Sequence, residues 1–501
     1  MEPQDDQHAF RELMKISNDF FAAYDAIYKI QTLDDDEINK IFEFIKVRCF
    51  GILRISPVEI MQRISDEFVY QNRYIRSCWS LFIKIYQEYR PKRVTHISDI
   101  FDYFFYKEYK FTLSGQHPIK FIEYEKQNIS FDIHKPHTIY RAIMDDDIRL
   151  FISRTQEEEF NNNHKLKSDF YPENEGGYSY LELCCYHGAV KCFKFLRTEF
   201  KSENITSYCL AFSYLGGNIE IINECLKKFK PDSRSMKYAI ISRNTNFIMH
   251  LVNEYHIEIH LEDCIGHENV QAYCMYYNET KNLNACFPYS TCFHYLPLCQ
   301  YFLSKHPNIN QHAIGFKGNT ALHFAAWGDL IDIVQLLLSH GANINEKNEN
   351  GWTALHYTAN YNALNATCLL VKSGADIHIK DNNGRTPLHL AAVNNCIETA
   401  ALLISHIKNV DKDKTNLGRT ALHYAAIGNS KETAELLISA GADIKAKDKN
   451  KETVLHAAAR NNSKEIAEFI INYHVDIEAK DANGRSPLHC AAYFNCKDTV
   501  E

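Results

Sequence analysis

The sequence predicts an all-α fold: a solenoid of helix-turn-helix units with short β-hairpin fingers, preceded by degenerate units of the same kind and by an N-terminal helical bundle. Three observations carry that expectation. A four-residue block ending in Leu-His recurs six times at a nearly fixed interval in the C-terminal part. Each block is followed by a pair of small residues and, where complete, by a helically spaced apolar run. Residues before about 135 lack the block but space their apolar residues as helices do.

The blocks begin at Thr320, Thr353, Thr386, Thr420, Thr453 and Ser486 and end at His323, His356, His389, His423, His456 and His489, in steps of 33, 33, 34, 33 and 33. The Thr or Ser hydroxyl is placed to cap the first helix of each unit. Pairs such as Ala391-Ala392 let neighbouring helices approach closely. At the helix stop stand Asn362, Asn395, Asn429, Asn462 and Asn495, with Asp329 in the first unit. Asn tolerates the left-handed backbone that reverses the chain into a second helix. The second helices carry apolar residues at helical spacing, as in Ile333, Val334, Leu336, Leu337 and Leu338, and stop at Gly341, Gly374 or Gly441. Segments such as 381–384 and 481–484, each Asp-x-Asn-Gly, supply the turns of the fingers.

The period, the Thr-x-Leu-His block and the Ala pairs resemble the ankyrin repeat, with six regular ankyrin repeats over 306–501. That resemblance implies that each imidazole bonds within its own turn and to a neighbouring loop. A metal site does not follow from the histidine row, because units stacked about 10 Å apart are too far separated to share one tetrahedral ion. Two irregularities are expected. Ile407 stands where other units carry Gly, and a β-branched residue is unsuited to positive φ, so the 407–414 finger should be distorted. The sixth repeat stops part-way through its second helix, so it reads as truncated, with 486–501 frayed.

The same grammar continues in blurred form over 136–305, read as degenerate ankyrin-like repeats. Residues 180–188 and 190–196 form a helix, stop and helix, with Cys184-Cys185 in the Ala-Ala place. Residues 210–222 with Gly216-Gly217, 236–251 with Asn244 at the turn, 290–303, and an earlier 138–151 complete a series at intervals of about 27 to 50 residues. Residues 1–135 read as a helical module with helices at 10–29, 35–53, 58–71, 75–89 and 97–109, one opened by a Ser56-Pro57-Val58-Glu59 capping box. The aromatics Phe101, Tyr103, Phe104, Phe105 and Tyr106 have the spacing of a core face. Together with the regular repeats, segments 181–189, 236–242 and 295–303 resemble a large protozoan family of ankyrin proteins that carries a domain of unknown function ahead of its repeats. The resemblance implies a helical, ankyrin-like N-terminal module and brings no catalytic residues and no assigned partner.

Composition narrows the function. A hydrophobic fraction of 45% and a charged fraction of 24% describe a chain able to bury large cores. A net charge of −8 argues against nucleic acid, whose binders carry a Lys/Arg surplus. No uncharged apolar run of about 18 residues occurs, so membrane insertion is not expected. The sixteen cysteines include no Cys-x-x-Cys pair and read as reduced core thiols, which implies an intracellular, cytoplasmic protein. Cys184, Cys185, His187 and Cys192, like Cys292, His294 and Cys299, match no zinc-ligand spacing. Acidic runs at 34–36, 145–147 and 157–159 read as caps and exposed turns. Without a phosphate-cradling Gly-rich loop, a nucleophile elbow or a zinc-protease helix, no enzyme, cofactor or metal is expected.

A protein partner is expected instead. In a solenoid the finger tips and first helices line one concave face, so variable exposed positions there are the binding candidates. One column holds Trp352, Arg385, Arg419, Glu452 and Arg485, with Asn319 at its head; a parallel one at the helix ends holds Trp327, Tyr361, Arg460, Tyr493 and Phe494. Trp, Tyr and Arg dominate interface hot spots. The expected function is a non-enzymatic protein-protein interaction scaffold that binds through this groove. The alternative is a regulatory adaptor whose 1–135 module recruits a second machine, such as a ubiquitin ligase or cytoskeletal component.

Overall fold

A computed structural model describes residues 3–52, 55–94, 96–114, 120–158, 160–172, 174, 176–200 and 205–500. The chain divides into two compact units, Met1–Lys281 and Asn282–Glu501.

In Asn282–Glu501 the six blocks each open a helix pair: Ala321–Trp327 with Ile331–Ser339, Ala354–Asn360 with Leu364–Lys372, Pro387–Val393 with Ile397–Ser405, Ala421–Ile427 with Lys431–Ser439, Val454–Arg460 with Lys464–Ile471, and Pro487–Tyr493 with Lys497–Val500. The small residues do the work expected of them: Ala325, Ala326, Ala391, Ala392, Ala425, Ala426 and Ala458 are wholly buried where first helices meet. Asp329 and the five Asn residues adopt left-handed backbone with φ between 52 and 57°. A further pair, Leu283–Ser290 with Leu296–Leu303, precedes the six. Its first helix ends at Ser290, the residue at which the spacing alone starts the unit. Asn282 caps it through the Ala285 N–H, and no Thr-x-Leu-His block is there to mark it.

The fingers are tighter than β-hairpins. Each is closed by a main-chain bond such as Asn348 N to Trp352 O at 2.9 Å, Asp381 N to Arg385 O at 2.8 Å and Asp481 N to Arg485 O at 2.9 Å, with a turn bond inside it, as from Gly351 N to Asn348 O at 2.8 Å. Only Lys447 and Thr453 form a β-bridge among the described residues of this unit. The irregular third repeat departs as its sequence requires, over a shorter stretch than 407–414. Gly341, Gly374 and Gly441 take φ near 90°, whereas Ile407 does not enter the left-handed region. Register is regained by Asn409, whose carbonyl accepts from Lys412 as Asp443 accepts from Ala446.

In Met1–Lys281 five further pairs follow the same plan: Ile139–Asp145 with Ile148–Thr155, Tyr180–His187 with Val190–Glu199, Ser207–Gly216 with Ile219–Leu226, Ser233–Ile241 with Thr245–Tyr255, and Leu261–Gly266 with Val270–Thr280. The last pair was not foreseen and fills the long gap in the series. In the fourth, the left-handed residue is Arg243 rather than Asn244, which instead caps the next helix through Asn246 and Phe247.

Residues 3–28 form two helices, Pro3–Ile16 and Asn18–Tyr28, broken at buried Ser17 where one had been expected. Asp35–Ile45 continues as a π-helix, Lys46–Ile52; Leu53, the expected end, and Glu159 of the third acidic run lie outside the described residues. Pro57–Glu67, Ile75–Tyr89 and Asp99–Tyr109 follow closely, Ser56 capping through Val58 N at 3.2 Å. Phe101 lies 5.2 to 5.5 Å from the rings of Phe68, Trp79 and Phe82, the expected aromatic core. These helices are not free-standing. Arg63 pairs with buried Glu268 at 2.5 Å, Arg243 reaches Asp25 at 3.1 Å with its guanidinium over the Tyr28 ring, and Asn72 donates to Phe170 O at 2.8 Å. The N-terminal helices and these pairs therefore share one core.

Candidate protein-interaction surface

The six-fold Thr-x-x-His block builds a ladder through the repeats. In the first five, the Thr backbone N–H donates to Nδ1 of the His three residues on, at 3.0 to 3.3 Å. The opposite ring nitrogen, Nε2, lies 2.9 to 3.2 Å from a carbonyl of the next repeat: Trp352, Arg385, Arg419, Glu452 and Arg485 in turn. A carbonyl only accepts and a backbone N–H only donates, so Nε2 carries the proton and Nδ1 does not. A second proton would drive N–H against N–H. Burial, with that clash, holds His323, His356, His389 and His423 neutral, their pKa lowered from 6.5 to about 4.

A second ladder uses the left-handed residues. Asn395 accepts from Thr433 N at 3.2 Å and donates to Glu432 at 2.7 Å; Asn429 treats Ile466 and Glu465 alike, and Asp329 accepts from Ala366 N at 2.7 Å. Each ties one helix reversal to the start of the next repeat's second helix, the end with unpaired N–H groups. Asp146 does the same for Lys191 and Cys192 in the other unit.

A third set closes the fingers and includes the first candidate column. Asp381 accepts from Arg385 N and Asn383 N with one oxygen and, with the other, from Arg385 Nε at 2.7 Å and Trp352 Nε1 at 3.2 Å. Asp481 holds Arg485 likewise, and Asp448 receives Arg419 at 3.1 Å. Glu452 is 2% exposed, its carboxylate set between Arg419 at 2.8 Å and Arg460 at 3.0 Å, and Asn319 is as deeply buried, bonded to Asn348 and Tyr357. The expectation that this column stands free in solvent is therefore corrected at Asn319 and Glu452, and Trp352, Arg385, Arg419 and Arg485 are only part-exposed. A one-residue surface position leaves too little room for a long side chain not to fold back on its neighbour's carboxylate. The finger-base Asp residues were legible only as turn formers.

The second column is more open. Trp327 is 42% exposed and Tyr361 44%, their rings stacked at 5.5 Å across two repeats. Tyr357, missed by sequence reasoning because it is buried, lies 6.2 Å from Trp327 and 5.0 Å from Trp352, which Arg385 covers at 5.9 Å. Trp327, Tyr361, Trp352 and Arg385 are thus one cluster. Further along, Arg460 lies 4.8 Å over Phe494, itself beside exposed Tyr493, and joins Glu452 and Arg419 in a second.

Family models match residues 289–381, 366–448 and 445–501 to ankyrin repeats, and residues 200–276 to a domain of unknown function, DUF3447. The chain is an ankyrin-repeat protein. Its domain order, a domain of unknown function ahead of the repeats, is the one its sequence resembles. No curated protein matches it. Ankyrin repeats in general serve protein-protein interaction, on surfaces built by stacking one unit on the next. In this ankyrin-repeat protein the domain of unknown function spans the helix pairs from Ser207–Gly216 into Val270–Thr280. None of the sixteen cysteines is joined in a disulfide, and most are buried. Among the described residues no helix is long and apolar enough to cross a membrane, and no group of three or more His, Cys, Asp or Glu side chains is arranged to hold a metal ion.

Proposed function

We propose that this ankyrin-repeat protein is a non-catalytic, intracellular interaction protein that binds a protein partner through the aromatic and arginine face of its regular repeats. The observation that carries the reading is the stacked, exposed Trp327–Tyr361 pair. The hydrogen bonding that holds the repeats together is met elsewhere, by the His, Asn and finger-Asp ladders, and two large aromatic rings in water have no comparable structural duty. Flat aromatic area beside arginine is the chemistry of an interface anchor. Glu452, Arg419 and Arg485 support the face by fixing the fingers.

Changing Trp327 and Tyr361 together to Ala in the full chain should weaken capture of a purified partner by more than about tenfold, with the chain still folded and its stability lowered by about 1–3 kcal/mol. Undiminished capture would refute the assignment. The adaptor reading has a narrower basis, because residues 1–135 pack into the core of Met1–Lys281 rather than standing apart.

A further inference from the structure

Three helices of the N-terminal module finish at one end of it. Phe82 of Ile75–Tyr89 faces Phe101 of Asp99–Tyr109 at 5.2 Å, and Tyr86 faces Phe105 at 4.7 Å and Tyr109 at 5.2 Å, so these two helices run parallel. The π-helix Lys46–Ile52 reaches the same end, with Phe50 4.8 Å from Tyr89 and Lys46 paired to Glu88 at 2.5 Å. The chain leaves both parallel helices through a basic residue in left-handed backbone, Arg90 at φ 45° and Lys110 at φ 65°. Beyond those exits the two segments are joined, Val94 N donating to Leu113 O at 3.0 Å and Arg93 Nε to Ser114 O at 3.1 Å.

The whole chain carries a net charge of −8, yet this end is basic. Arg90, Lys92, Arg93 and Lys110 are exposed, and the side-chain bonds made by Arg90, Arg93 and Lys110 go to main-chain carbonyls, which leaves their charges unneutralised. Of the acids beside them, Glu88 is spent on Lys46, and Glu108 remains. Apolar side chains stand among the cations: Phe111 is 46% exposed and Ile52 54%. Phe111 is held there. Its ring meets Phe105 edge-on at 5.3 Å, and two residues on Leu113 is wholly buried, its N–H bonded to Asp102 Oδ1 at 2.7 Å. Basic residues at helix C-termini answer the helix dipole, which accounts for Arg90 and Lys110 but not for Lys92, Arg93 or the apolar pair. Cations alone would suit nucleic acid or an acidic peptide equally. Cations around an aliphatic and an aromatic tip suit a surface that is anionic outside and hydrocarbon within. We propose that this end docks on the anionic face of a lipid bilayer, Arg90, Lys92, Arg93 and Lys110 lying at the headgroups and Ile52 and Phe111 entering the acyl boundary. No segment crosses the bilayer, and the proposal is independent of the Trp327–Tyr361 reading.

The test sediments the full-length chain with phosphatidylcholine vesicles, with and without about 30% phosphatidylserine, at about 0.1 M salt. Phosphatidylserine should raise the partition constant at least about tenfold, and about 0.5 M salt should remove most of that gain. Lys92→Glu with Arg93→Glu, and separately Ile52→Ser with Phe111→Ser, should each lower the constant at least about fivefold. The control, Lys165→Glu with Lys167→Glu, makes the same charge change at exposed lysines beside Ser98 and Asp99, the opposite end of Asp99–Tyr109, and should leave the constant within about twofold. Should either double variant melt lower than the parent chain, the single changes Lys92→Gln and Ile52→Ser should each still weaken binding by about twofold. No preference for phosphatidylserine vesicles, an equal loss in the control, or binding unaltered by the Ile52 and Phe111 changes would overturn the proposal. So would tighter binding to single-stranded DNA or polyglutamate at equal concentration of negative charge.

Discussion

Between pH 6.5 and pH 4 the ankyrin repeats of Asn282–Glu501 are expected to lose most of their stability. His323, His356, His389 and His423 are neutral when folded, with pKa values lowered to about 4 against 6.5 for a free imidazole. Within that window the unfolded chain binds protons that the folded one refuses, so stability rises with pH and falls on acidification. The contribution is complete above pH 6.5 and exhausted near pH 4. Each histidine contributes up to about 1.4 kcal/mol per pH unit. Four acting together remove on the order of 10 kcal/mol by pH 4, comparable with a typical stability of about 5–15 kcal/mol. Glu398 and Glu432 are held below their usual 4.5 by bonds from Asn362 and Asn395, so their share is lost only below about that pH and overlaps the acid end of the window alone. Urea unfolding at a series of pH values, with amide exchange to localise the loss to 306–501, checks this; a midpoint unchanged from pH 7 to pH 5 would refute it.

Gly428→Ala is expected to destabilise the array by about 2–3 kcal/mol, an overpacking cost rather than a backbone one. The residue sits at φ −87°, which alanine adopts readily, and equivalent positions hold Tyr361, Asn394, Asn461 and Phe494. What differs is the approach of the third and fourth repeats. A methyl group on Gly428 would overlap the Val393 carbonyl oxygen, which also accepts from Ser430 Oγ at 3.3 Å. Denaturant unfolding of the two chains measures the difference, and a change within about 0.5 kcal/mol would show that the repeats adjust at little cost.

The parts of the fold legible in the sequence are those where one residue type has one job. A left-handed stop asks for Asn or Gly, a close helix contact asks for Ala, and the Thr-to-His spacing allows one reciprocal bond. Those positions repeat in register and can be read without coordinates. The pair at 261–280 was missed because its stop is Glu268, at φ 48°, and Glu carries no turn signal. Arg243 hid the same way, its strained backbone held by side-chain bonds to His267 O and Glu268 O. The binding face was legible in outline only. Sequence spacing placed Trp352, Arg385, Arg419 and Glu452 in one column, but whether a long side chain reaches solvent or folds onto a carboxylate depends on its own finger for Arg385 and on the next repeat for Trp352 and Arg419.

A protein partner seated on the Trp327–Tyr361 face would lie within reach of a crosslinker there. A photo-crosslinking residue placed at position 361 in the full chain, and as a control at exposed Glu435 on a second helix, tests it in intact cells. With the same residue placed at position 327 as well, saturable crosslinks to one protein are expected from 361 and from 327, and none from 435. Equal labelling from 361 and 435, or none from 361, would contradict it.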